Sequence, residues 1–143
     1  MRSHKLQTIL QNAAHNYCLA ITYLYLVLHH DADETEIGML EPAIASMLIM
    51  AANDEEVLEE DGFVKDAQKL IERCTGKKVS VTKLDISSVQ DLPKDTYCAV
   101  RFDFNGKSHW VGYKGEKFLY NSLDTSNCFS YGKPVTARVL KFN

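Results

Sequence analysis

Apolar residues run almost unbroken from Leu19 to Leu28, LAITYLYLVL, with no polar face. A helix of that kind is buried on every side. Ile21, Tyr23, Tyr25 and Val27 also alternate as a strand would, but the length of the run and Asn16 as an upstream N-cap favour helix. His29-His30-Asp31 is expected to end it in a polar loop. Pro42 suits the first turn of a second helix, AIASMLIMAA. A third, amphipathic helix is expected from near Val64, with Phe63, Ala67, Leu70, Ile71 and Cys74 on its apolar stripe and Gly76 as its stop.

The period changes at residue 77. Lys77–Lys83 alternates as a strand does. Asp91–Asp95 reads as a turn, and Tyr97–Phe104 as a strand with Val100, Phe102 and Phe104 on one face. Asn105-Gly106 is a strong hairpin signal. His109–Tyr113, a turn around Gly115 and Phe118–Tyr120 follow. Ser122–Pro134 reads as a polar loop, and Thr136–Phe142 as a last strand. Helices followed by an antiparallel sheet make the fold class α+β.

Composition narrows the function. A chain of 143 residues is one domain's worth, and its net charge of -3 argues against a dedicated nucleic-acid binder. Lys77-Lys78 is too little for a basic groove. The four cysteines, at 18, 74, 98 and 128, have long irregular gaps and no CxxC, so neither a zinc ribbon nor a thioredoxin motif is expected. No metal site, cofactor or nucleotide-binding glycine motif is evident. The longest apolar stretch, Tyr17–Leu28, falls short of the roughly twenty residues of a membrane span. Nothing at the N-terminus reads as a signal peptide, so a cytoplasmic protein with reduced thiols is expected, with no membrane insertion.

Cys18 stands at the entry of the buried helix. A helix N-terminus carries partial positive charge and lowers a thiol pKa, which is where a nucleophilic cysteine is chemically useful. The alternative for a lone cysteine is a small core residue. His109 opens a strand directly after the polar turn 105–108 and is the first candidate for a base; His15, three residues before Cys18, is the second. If Lys114-Gly115-Glu116 forms a three-residue loop, His109 lies opposite Asn121, whose amide can orient the imidazole. A two-residue loop moves the partner to Tyr120 or Ser122. Asp124 is the alternative orienter. An oxyanion needs a donor, and the Cys18 N–H, Gln11 and Asn12 are the candidates. The thiolate is expected to persist below the free-cysteine range, because the helix end and an imidazolium outweigh burial.

The order of these pieces resembles the papain-like (clan CA) cysteine peptidases. It is most similar to the small bacterial branch typified by bacteriocin-leader-processing peptidases. The resemblance rests on Gln11-Asn12, Asn16-Tyr17-Cys18-Leu19-Ala20, His109-Trp110-Val111-Gly112 and Leu119-Tyr120-Asn121-Ser122. It implies one papain-like domain over residues 1–143, with a cleft between the cysteine helix and the sheet. The implied roles are Cys18 as nucleophile, His109 as base, Asn121 as orienter and Gln11 as oxyanion donor. The implied activity is hydrolysis of a peptide or amide bond through a thioester, with a peptide or protein as substrate. The chain departs from the family in having Tyr17 and Leu19, rather than glycine, beside the cysteine. Gln11 is also one residue further from it than is usual, and the third member is Asn where this branch more often has Asp. The alternatives are an inactive papain-like module that binds a peptide or protein, and an unrelated α+β interaction protein. The latter would work through the acidic stretch 54–61 and aromatics such as Trp110.

Overall fold

The structure, a computed structural model, describes residues 17–59, 61–123 and 126–143. Gln11, Asn12, His15, Asn16 and Asp124 lie outside the described residues. The fold is α+β: among the described residues, three α-helices precede a five-stranded antiparallel sheet. The helices are α1 (Cys18–Asp31), α2 (Leu40–Ala51) and α3 (Ala67–Thr75), and a short α4 (Asn127–Tyr131) interrupts the strands. The strands are β1 (Val79–Asp85), β2 (Tyr97–Phe104), β3 (Lys107–Lys114), β4 (Lys117–Asn121) and β5 (Lys133–Phe142), in the order β1-β5-β2-β3-β4.

α1 is apolar all round because it has neighbours all round. Ala20, Ile21, Leu24 and Tyr25 pack against Leu40, Ile44, Leu48 and Leu70 of α2 and α3. Tyr23, Leu26 and Val27 pack against Tyr97, Ala99 and Leu140 of the sheet. The other sheet face buries Cys98, Val100, Phe102, Val111 and Tyr113 beneath Ile86, Leu92 and Cys128 of α4. Gly112 lets α1 approach β3 closely: a Cβ there would stand 3.0 Å from Leu26 Cδ2.

Four expectations are corrected. α1 does not end before His29 but runs through His29-His30-Asp31. The Tyr97 hydroxyl lies 2.9 Å from His29 Nδ1, the His30 ring stacks on Phe142 and Asp31 pairs with Lys77, so tertiary contacts prolong the helix. The N-cap residue is Tyr17, which makes no side-chain cap. α3 begins at Ala67 instead of near Val64, because Asp66 accepts from the Lys69 N–H as its N-cap. Phe63 is therefore off the helix and 63% exposed. Gly76 does end α3, in the left-handed conformation, φ 74°. Finally, the segment 122–134 contains α4 and the start of β5, because Cys128 and Phe129 find apolar partners in Phe102 and Phe118.

Candidate active site

The hairpin that carries His109 is built from two compensating irregularities. Asn105 and Gly106 both have positive φ, 50° and 77°, which turns β2 directly into β3. The β3–β4 turn is a two-residue one, Gly115-Glu116, since Lys114 pairs with Lys117. On its own that would aim Asn121 at the wrong face. A bulge restores the face: Tyr113 pairs with Phe118 but Gly112 pairs with Tyr120, leaving Leu119 as an extra residue. Asn121 thus pairs with Val111, not with His109 as the three-residue loop would have it, yet it shares the face of both. Its Oδ1 lies 2.6 Å from His109 Nε2 across the diagonal.

The orientation of this amide defines the imidazole. Asn121 Oδ1 also accepts from the Leu123 N–H at 3.0 Å, so it is the carbonyl end that faces His109. The His109 Nε2 must then donate, and Nδ1 carries the lone pair of the neutral ring. His109 is only 3% exposed.

Cys18 reaches β3 from the α1 side, the face of Trp110 and Gly112, whereas His109 and Asn121 belong to the face of Phe102 and Val111. Cys18 is the first residue of α1 and 5% exposed, and it lines a cleft of about 710 Å³ bounded by the sheet and residues 61–68. The backbone N–H groups of Trp110, the residue after His109, of Leu19 and of Cys18 itself lie close enough to its sulfur to favour the thiolate. The β3–β4 pairing stops at Val111–Asn121, so Trp110, paired with Arg101 of β2, lies beyond the part of β3 that β4 covers. Thr22 ties the same turn of α1: its hydroxyl donates to the Cys18 carbonyl at 2.6 Å and lies 3.4 Å from the Trp110 carbonyl oxygen.

The charge state of Cys18 departs from expectation. Burial pushes its thiol above the ordinary range, the three backbone N–H groups pull it down and nearby Cys128 adds to the rise, with burial deciding the direction. The resting group is therefore a thiol. Sequence reasoning underestimated this because the layers that enclose α1 cannot be seen in the composition of one helix. It also missed the Trp110 amide and the Leu119 bulge, for which no motif exists.

The other candidates have structural partners. Asp54 and Glu56 of the acidic stretch pair with Arg73 and Lys69. None of Cys18, Cys74, Cys98 and Cys128 forms a disulfide. Among the described residues no cluster of three or more His, Cys, Asp or Glu could hold a metal ion, and no helix is long and apolar enough to cross a membrane. Comparison with known proteins found no matching family model, no matching curated protein and no matching solved structure.

Proposed function

We propose that this protein is a papain-like cysteine peptidase or amidase in which Cys18, His109 and Asn121 act as one unit. The observation that carries the reading is the 2.6 Å contact between His109 Nε2 and Asn121 Oδ1, with Cys18 at the start of α1 near the backbone N–H of Trp110, the next residue of β3. That contact fixes the tautomer in which Nδ1 can accept a proton, the state required of a base that is to serve a thiol.

The chemistry balances with these groups alone. The Cys18 sulfur attacks the carbonyl carbon while its proton passes to His109 Nδ1. Burial favours the neutral thiol, so proton transfer to His109 accompanies the attack. The oxyanion is met by the Cys18 N–H at the start of α1, with Gln11 as the expected second donor. His109 returns the proton to the leaving amine, giving a thioester. Water then attacks the thioester, losing a proton to His109, and the acid departs as the thiol is restored.

A second reading, a module of the same fold that binds a peptide without cutting it, is favoured by the burial that keeps Cys18 protonated. One experiment separates the two. The protein is incubated with a diverse peptide library, and new termini are sought by mass spectrometry. Products formed by the native chain and lost with Cys18→Ala support the peptidase; unaltered peptides support the binding module.

A further inference from the structure

The sheet side of the cleft at Cys18 carries a row of cations. Lys83 and Arg138 stand directly opposite each other in the β1–β5 pairing. Arg101 lies two residues along β2 from Ala99, the partner of Arg138. All three line the cleft. Like charges directly opposed across strands are unfavourable, and the chain as a whole has a net charge of -3, so a basic composition does not explain them.

Two of the three have carboxylate partners. Arg101 Nε lies 3.0 Å from Asp103, and Lys83 Nζ lies 3.8 Å from Asp85. Arg138 has no carboxylate partner among the described residues. Its Nη1 donates to neutral acceptors, the Thr136 hydroxyl at 3.2 Å and the Ala137 carbonyl at 3.3 Å. Its guanidinium lies over Trp110, 5.0 Å from the ring centroid. The acids on the facing wall are already engaged: Asp61 accepts from the Phe63 N–H and Asp66 caps α3.

We propose that Arg138, set on Trp110, is the acidic subsite of this cleft and binds a carboxylate of the peptide presented to Cys18. The proposal deepens the peptidase reading and rests on it for the reacting bond. Guanidinium presents a planar fork of donors to a carboxylate, and charge-assisted hydrogen bonds are the strong ones. Trp110 connects the two parts, since its ring supports Arg138, it lines the same cleft as Cys18, and Thr22 bridges the Cys18 and Trp110 carbonyls. From β3 through β2 to β5 is two strand spacings, on the order of 10 Å. An extended peptide covers that in about three residues. The acidic group therefore sits within about three residues of the carbonyl that Cys18 would attack.

Trp110 is the chain's single tryptophan, so its fluorescence reports occupation of the cleft. The Cys18→Ala protein is titrated at low salt with three alanine hexapeptides. One is blocked at both ends with glutamate at its third position, one is the same with glutamine, and one has no acidic side chain but a free C-terminal carboxylate. A carboxylate peptide is expected to bind about tenfold tighter than the glutamine peptide, and which one does so tells a side-chain from a terminal carboxylate. Arg138→Gln should erase the difference, and Arg138→Lys should keep part of it. Equal affinities, no response to any peptide, or a preference that survives Arg138→Gln would overturn the subsite. A carboxylate preference in a protein that cleaves no peptide would defeat the peptidase reading and leave the subsite standing.

Discussion

His109 and Asn121 meet through their side chains at 2.6 Å although neither is the other's partner across the strands. The contact is a diagonal one, and it leaves Nδ1 as the basic nitrogen of the ring. If Asn121 only orients, Asn121→Ala should lower kcat/KM by about tenfold to a hundredfold. His109→Ala, which removes the base, should lower it by on the order of a thousandfold or more. Steady-state kinetics on any substrate found by library cleavage would check the order. Equal losses would show that Asn121 does more than hold the ring.

The bulge at Leu119 decides which face Asn121 occupies. Deleting Leu119 should slip β4 by one residue and move Asn121 to the face of Trp110. Nitrogen-15 spectra of His109 should then show a mixture of tautomers in place of a protonated Nε2, with activity no higher than in Asn121→Ala. A deletion variant that retained the Nε2-protonated ring would show that another group orients it.

Two glycines differ in what surrounds them. A Cβ at Gly132 would stand 2.1 Å from the Cys128 carbonyl oxygen and 2.5 Å from that of Asp103, both backbone atoms that cannot rotate away. A Cβ at Gly112 would meet the side chain of Leu26 at 3.0 Å. Gly112→Ala should therefore cost about 1–3 kcal/mol in urea unfolding, the usual range for overpacking, and Gly132→Ala should cost more. The reverse order would mean that α4 moves more easily than α1.

Burial pushes the Cys98 thiol up to about 12 and the Cys74 thiol up to about 11. Burial, with Glu41 adding to it, takes the Tyr120 phenol up to about 12. The ordinary values are 9.0 for the thiols and 10.0 for the phenol, so each group holds its proton more tightly in the folded chain. Their stabilising contribution is complete below the ordinary values and is lost as pH rises towards the folded ones. Under reducing conditions, stability to urea should hold to about pH 8 and then fall. The expected slope is about 1.4 kcal/mol per pH unit for each group ionised only in the unfolded chain. Cys98→Ala should make the alkaline slope shallower. A flat profile to pH 11 would contradict these assignments.

Period and turn chemistry made much of this molecule legible in advance. The span of β2, the Asn105-Gly106 turn, the Gly76 stop and the all-round burial of α1 follow from local rules, and local rules sufficed there because tertiary contacts agree with them. Asn121 came out beside His109 for a different reason from the one the sequence suggested. The loop is one residue shorter than the reading that favoured Asn121, and the bulge replaces that residue within the strand. A bulge in an antiparallel pair depends on both strands and has no signature in either. α4 was hidden in the same way, since Cys128 and Phe129 become apolar anchors only once Phe102 and Phe118 lie above them. The charge state of Cys18 depends on how many layers enclose α1, which no window of residues reveals.

The rate at which iodoacetamide alkylates Cys18, followed by peptide mass spectrometry from pH 6 to pH 9 in the native chain and in His109→Ala, tests the central claim most directly. A buried neutral thiol served by a base should react slowly at pH 6 and faster as pH rises. Removing His109 should slow the reaction at neutral pH by about tenfold or more while leaving Cys74, Cys98 and Cys128 unchanged. A Cys18 rate that is indifferent to His109 across that range would contradict the account.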